Sequence, residues 1–88
     1  MTVSNDLEKE RLAKLLKEVR GNRSQRFYAK LLKVSYTTIQ DWEGCRSFPD
    51  EDNLKNIAAS AGWSLPELEQ YLSIGEKPAK PSFEMLLS

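Results

Sequence analysis

Four polar side chains lie close together near the middle of the sequence, and they are Tyr36, Thr37, Gln40 and Asp41. If a helix begins after Ser35, then Ile39 and Trp42 fall three residues apart on its inward face, and the four polar residues stay exposed. Their hydroxyl, amide and carboxylate groups donate and accept hydrogen bonds. The sequence therefore predicts a polar, hydrogen-bonding surface on one short helix.

Two helix caps set the position of this surface. The hydroxyl of Ser24 predicts a helix that begins at Gln25, and Ser35 predicts the next one. The inward face of the first of these two helices is marked at helical spacing by Tyr28, Ala29 and Leu32. Only Lys33 and Val34 remain for the connection, so the two helices must cross sharply.

Several short motifs in and after residues 24–43 occur together, and they are Ser24-Gln25, Ala29, Leu32 to Ser35, Thr38-Ile39, and Trp42-Glu43 followed by Pro49. With these motifs the chain resembles the lambda-repressor-like or Cro/XRE-type helix-turn-helix DNA-binding domains, over roughly residues 10–72. Two positions depart from the family pattern. Lys33 stands where the family usually has glycine, which predicts a positive φ at a non-glycine residue. Gly44 comes one residue earlier than in the family's usual Trp-Glu-x-Gly, which predicts a shortened or rearranged end of the third helix.

The resemblance implies that the third helix enters the major groove of DNA and that its exposed residues Tyr36, Thr37, Gln40 and Asp41 read bases. Gln40 could pair with adenine, Thr37 could offer its methyl to thymine, and Tyr36 could contact a thymine methyl or a phosphate. Asp41 has two alternatives, because a carboxylate between phosphates is costly. It either accepts from a cytosine N4 amine or pairs with a neighbouring cation.

The resemblance assigns phosphate binding to Gln25, where the helix dipole and free backbone N–H groups also favour an anion. The candidates to join it are Arg23, Arg26, Thr38 and Arg46. For each arginine the alternative is an ordinary solvated side chain.

The formal net charge is zero, but the charge is unevenly distributed. Residues 8–48 hold ten Lys/Arg against five Asp/Glu, a balance of +5, and residues 49–88 hold three Lys against seven Asp/Glu, a balance of −4. A basic half that carries the two capped helices would orient the molecule on a polyanion. The alternative is an ordinary solvated surface.

The length of 88 residues predicts one small domain, and the absence of strand-like alternation predicts an all-α class. We expect a compact five-helix bundle over residues 6–74, after a frayed arm at residues 1–5. Its first helix should run from a cap at Asp6 to about Arg20, and its fourth over residues 51–61 from a cap at Asp50. Ser64 should cap the fifth, with Pro66 in its first turn. Residues 75–88 read as a proline-containing linker and an apolar tail.

Other chemistry is not expected. The chain has no histidine and no phosphate-binding loop, so we predict no enzyme activity and no cofactor. The acids at positions 50–52 are better explained by helix capping than by a metal site. Cys45 is interpreted as a partly buried residue near a helix end. No apolar run or leader is present, which predicts a cytoplasmic protein without a membrane partner.

Phe27 and Leu31 lie beside the inward face of the second helix and should leave an apolar strip partly exposed. Three alternatives remain for it. The tail residues Phe83, Met85, Leu86 and Leu87 could cover it, the tail or the fifth helix could form a dimer seam, or the strip could belong to a wider core.

Three functions fit these observations. The first is a prokaryotic or phage transcriptional regulator, most simply a repressor, that binds duplex DNA at an inverted repeat as a homodimer. The second is an antitoxin that uses the same DNA-binding core and a further surface for a toxin. The third is a protein-interaction adaptor that has lost DNA binding.

Overall fold

The computed structural model describes residues 3–78, which form five α-helices and no strand. The helices are α1 (Val3–Arg20), α2 (Gln25–Leu32), α3 (Tyr36–Glu43), α4 (Glu51–Ser60) and α5 (Leu65–Ile74). They pack into a compact bundle in which α1 contacts α3 and α5, and α4 contacts α5. The predicted all-α class is confirmed for this part of the chain.

Polar caps begin the last four helices, as predicted. The side chains of Ser24, Ser35, Asp50 and Ser64 each accept a hydrogen bond from the backbone N–H three residues on, at 3.0 to 3.3 Å. At Ser64 the cap is reciprocal, because the Glu67 carboxylate accepts from the Ser64 N–H at 2.8 Å. These caps are why the boundaries of α2 and α3 could be read from the sequence.

The start of α1 was predicted wrongly. The helix begins at Val3, so Asp6 lies in its first turn instead of capping it, and residues 3–5 are helical instead of frayed. No Gly or Pro lies before Asp6, and the backbone can therefore continue the helix toward the N-terminus. The charge of Asp6 still favours the positive end of the helix dipole.

A single hydrophobic core joins the helices. Helical spacing predicts thirteen inward residues in α1 to α4. The core buries ten of them, which are Leu12, Leu15, Leu16, Tyr28, Ala29, Leu32, Ile39, Trp42, Ile57 and Ala58. The other three, Val19, Leu54 and Ala61, are only partly buried. In α5, helical spacing predicts an apolar face of Leu65, Leu68 and Leu72. The structure buries Leu68 and Leu72, together with Tyr71, whereas Leu65 is only half-buried. The Tyr71 ring packs against Trp63 edge to face, with ring centroids 5.4 Å apart.

The connection between α2 and α3 reverses the chain at Lys33, which has φ +61° and ψ +42°. Two hydrogen bonds close this turn, from the Lys33 N–H to the Lys30 carbonyl at 3.1 Å and from the Val34 N–H to the Ala29 carbonyl at 3.0 Å. This is the usual way to satisfy the last carbonyls of a helix. The prediction of a positive φ at a non-glycine residue is confirmed.

Side chains of α1 hold the end of the described chain. Arg11 Nη1 donates to the carbonyls of Leu72 and Ser73 at 2.8 and 2.9 Å, which caps the C-terminus of α5. Lys77 Nζ lies 2.7 Å from Glu18 Oε1. Within the described residues, no helix combines the length and the apolar character needed to cross a membrane.

Candidate functional site

The outward surface of α3 brings the four predicted polar residues together, and we call Tyr36, Thr37, Gln40 and Asp41 the α3 face. The opposite side of the helix is fixed in the core, because Ile39 and Trp42 are almost completely buried. Thr37 is exposed, and the other three are half-buried. Helical spacing therefore produces a continuous polar surface on a helix whose orientation is set by its apolar side.

Hydrogen bonds between neighbouring side chains organise this face. Gln40 Nε2 donates to Tyr36 Oη at 3.0 Å. The Ser35 hydroxyl oxygen lies 3.1 Å from the Thr37 hydroxyl and 2.7 Å from that of Thr38. Each of these groups keeps further donor or acceptor capacity, so an incoming polar partner can add to the network or replace a bond in it.

Cations stand at both ends of the α3 face. The Arg26 guanidinium lies over the Tyr36 ring, 4.3 Å from its centroid, which holds an exposed α2 side chain beside the start of α3. At the other end, Arg46 Nε donates to Asp41 Oδ1 at 3.0 Å. Of the two alternatives for Asp41, the structure shows the pair with a neighbouring cation.

The end of α3 is rearranged, which is one of the two outcomes predicted from the early glycine. The helix runs to Glu43, and the residue with positive φ is Cys45, at φ +62°, whereas Gly44 has φ −93°. The chain closes through an Arg46 N–H to Asp41 carbonyl bond of 2.8 Å. The helix is therefore not cut short at the early glycine. Cys45 is partly buried, as predicted.

Glu43 is a site residue that the sequence-based reasoning did not identify. Its carboxylate accepts from Arg20 Nε at 3.0 Å, from Arg20 Nη2 at 2.9 Å and from Gln25 Nε2 at 2.9 Å. Only 4% of its side chain is exposed. We call these three residues the Glu43 lock, because they tie the end of α1, the start of α2 and the end of α3 together. The sequence singled out Glu43 only as part of the Trp42-Glu43 motif, which gives no indication of its hydrogen-bond partners.

Gln25, predicted to bind phosphate, is part of the Glu43 lock. Its amide is half-buried and already donates to Glu43, so it is not a freely exposed side chain. Arg23 lies next to it at the helix start, with its guanidinium 5.3 Å from the centroid of the Phe27 ring. Of the predicted phosphate-binding residues, Arg23, Gln25 and Arg26 thus cluster at the start of α2. Thr38 and Arg46 lie instead on α3 and just beyond its end.

The apolar strip of α2 is exposed in the described part of the chain, with 47% of Phe27 and 54% of Leu31 accessible. Phe27 borders an open groove of about 520 Å³ together with Lys30, Val34 and Tyr36. Leu31 borders a second groove of about 400 Å³ between α2 and α4. The candidate cover from the tail, Phe83, Met85, Leu86 and Leu87, lies outside the described residues.

Comparison with known proteins adds no relative, since no protein-family model, curated protein or solved structure matches the chain. The function is therefore inferred from the geometry of the chain itself.

Proposed function

We propose that α2, the turn at Lys33 and α3 form a helix-turn-helix and that the chain binds duplex DNA sequence-specifically, as a transcriptional regulator and most simply a repressor. The observation that carries this proposal is the α3 face. A short helix buries Ile39 and Trp42 and presents a hydrogen-bonding surface with an arginine near each end. The major groove accepts a helix of this kind, with base edges facing it and phosphates on both sides.

The start of α2 supports the same proposal. Arg23, Gln25 and Arg26 surround a capped helix N-terminus, where backbone N–H groups and the helix dipole favour a phosphate. In this arrangement the first turn of α2 binds the DNA backbone while α3 lies in the groove.

The Glu43 lock supplies the rigidity that recognition requires. A base-reading helix must keep a fixed angle to the residues that contact the backbone, or its side chains lose their register on the base pairs. Glu43 bonds to Arg20 and Gln25 and so ties α3 to the start of α2. Gln25 then combines a structural contact with the proposed phosphate contact.

The test is selection of bound duplexes from a random pool, followed by salt titration of the selected sequence. We expect a symmetric selected site and an affinity that falls steeply as salt rises, because phosphate contacts release counterions. Binding that stays negligible at low salt would contradict the proposal.

Individual residues then separate the two kinds of contact. Arg23→Ala should weaken binding to all duplexes alike, whereas Gln40→Ala should relax the preference at particular base pairs by about 1 to 3 kcal/mol. Thermal melting of both variants serves as the control for folding. If Gln40→Ala lost equal affinity for selected and random duplexes, α3 would not be the helix that reads the bases.

The exposed strip of α2 favours a second candidate function, a protein-binding surface of the kind an antitoxin or an adaptor would use. Large apolar side chains at 47% and 54% exposure are typical of interaction surfaces when they lie on one helix face. A Phe27→Ser, Leu31→Ser double variant should keep DNA binding and lose a protein partner. Loss of a protein partner in a chain with no affinity for DNA would identify an adaptor.

A further inference from the structure

Asp41, Arg46 and Gly44 are linked by contacts at the end of α3. Arg46 folds back along the helix so that Nε reaches Asp41 Oδ1 at 3.0 Å and Nη2 reaches the Gln40 carbonyl at 3.3 Å. Gly44 leaves the space for this, because a Cβ at position 44 would lie 2.7 Å from Arg46 Nη1 and 3.1 Å from the Gln40 carbonyl oxygen. In this geometry the early glycine leaves room for the Arg46 guanidinium, which a larger residue at position 44 would displace.

We propose that Asp41 holds Arg46 away from DNA phosphates until a cytosine N4 amine takes the place of Arg46 at the carboxylate, so that one base identity controls one backbone contact. This inference rests on the proposed DNA-binding function. It makes Asp41 a specificity-determining residue that acts partly through Arg46.

The exposure of the pair makes the exchange feasible. The side chains of Asp41 and Arg46 are 47% and 62% exposed, and ion pairs of this kind contribute little to stability. Breaking the ion pair itself therefore costs little free energy when Arg46 moves to a phosphate. The cost falls on Asp41, whose carboxylate would then face phosphates without a partner.

The identity of the base that faces Asp41 determines whether its carboxylate is left without a hydrogen-bond partner. At a cytosine, the N4 amine donates to the carboxylate, and Arg46 is free to bind the backbone. Where another base faces Asp41, as at most sites in random DNA, Asp41 either keeps its ion pair with Arg46 or lies unpaired near phosphates. The arrangement should therefore weaken non-specific binding more than binding to the selected site.

The experiment compares Asp41→Ala with Glu69→Ala, which removes the same charge from an exposed position on α5. Both are measured against random duplex and against the selected duplex over a range of salt. Arg46→Ala and the Asp41→Ala, Arg46→Ala double variant complete the set, and Asp41→Asn serves as a second, nearly isosteric removal of the charge.

On random duplex, Asp41→Ala should bind about eightfold more tightly at 0.1 M salt, with a salt slope steeper by about one phosphate contact. Glu69→Ala should gain about twofold or less, because charges beyond a Debye length are screened. The gain of Asp41→Ala should disappear when Arg46 is also alanine. On the selected duplex Asp41→Ala should gain nothing or lose affinity, and its preference for cytosine at one position should fall.

Four results would overturn the inference, and they are distinguishable. Equal gains for Asp41→Ala and Glu69→Ala would show a general charge effect while leaving DNA binding intact. A gain in affinity that persists in the double variant would show that Asp41 does not act through Arg46. An unchanged cytosine preference in Asp41→Ala would show that Asp41 does not contact the base. Failure of the wild type and every variant to bind any duplex at low salt would overturn the DNA-binding proposal as well.

Discussion

At the scale of single residues, two non-glycine side chains occupy the left-handed backbone region. Lys33 ends α2 at φ +61°, and Cys45 follows α3 at φ +62°. An L-residue loses roughly 1 to 2 kcal/mol there relative to its ordinary conformations, whereas glycine does not. The chain therefore carries local strain at both ends of the α3 segment.

Replacing either residue by glycine should stabilise the protein. For Lys33→Gly and for Cys45→Gly we expect a gain of about 0.5 to 1 kcal/mol in the free energy of unfolding, after the entropy that glycine adds to the unfolded chain. Urea denaturation measures it. Lys30→Gly is the matched control, since an exposed helical position should instead lose about 1 kcal/mol. Destabilisation by Lys33→Gly and Cys45→Gly would contradict the claim that these two residues carry backbone strain.

Tyr28 gives a pH dependence with a defined sign. Burial raises the pKa of its phenol above 10.0, although the hydrogen bond with Ser60 opposes the shift. The unfolded chain then loses this proton at lower pH than the folded protein does. The corresponding stability is present below about pH 10 and is lost as pH rises through the folded-state pKa.

Urea unfolding across alkaline pH should show this loss, and Tyr28→Phe should reduce its steepness. The variant also loses the 2.8 Å hydrogen bond to Ser60, so its stability at neutral pH should fall by about 1 kcal/mol. The slopes, not the absolute stabilities, are compared. Burial also raises the pKa of Tyr71, which should retain part of the slope in the variant. Identical slopes would show that Tyr28 does not contribute.

At the scale of helices, two ion pairs at the end of α3 differ in burial and should differ in energy. The Glu43 side chain is 4% exposed in the lock with Arg20 and Gln25, whereas those of Asp41 and Arg46 are 47% and 62% exposed. Removing one member of a buried pair leaves an uncompensated charge. Removing one member of an exposed pair does not.

Glu43→Ala should therefore destabilise the protein by about 2 to 3 kcal/mol, because the Arg20 side chain left behind is 20% exposed and keeps part of its hydration. Asp41→Ala, the matched control on the same helix, should cost less than about 1 kcal/mol. Denaturant midpoints of the two variants provide the measurement. Similar small costs would mean that the lock does not hold α1, α2 and α3 together.

The helices also show what the sequence could reveal. Caps at Ser24, Ser35, Asp50 and Ser64 were predictable because each acts on its own first turn. The Glu43 lock was not, because its partners lie 23 and 18 residues away and meet only after folding. The role of Gly44 was missed for the same reason, since the side chain that needs its space becomes visible only in three dimensions. The roles proposed for the α3 face in binding remain predictions.

At the scale of the whole molecule, the proposed DNA binding leads to an expectation about the number of copies on DNA. The bundle measures 40 × 33 × 22 Å, and half-sites one helical turn apart are separated by about 34 Å. If the chain binds DNA as proposed, two copies of this size fit on neighbouring half-sites.

We therefore expect a homodimer. Light scattering at tens of micromolar, with and without a two-site duplex, should show two copies per complex. A duplex with a single half-site is the control and should bind at least tenfold more weakly, since the second copy adds its own contacts. Monomers under all these conditions would contradict the expectation.

The side-chain bonds of the α3 face begin and end close together in the sequence. Tyr36 bonds Gln40 four positions on, and Thr37 bonds Ser35 two positions back. Substitutions there change the outer chemistry of the helix without touching Ile39 or Trp42. The side chains on the outer surface of α3 are thus separate from the side chains that keep the protein folded. Under the proposed DNA-binding function, new sequence preferences could therefore be selected by varying a few surface codons.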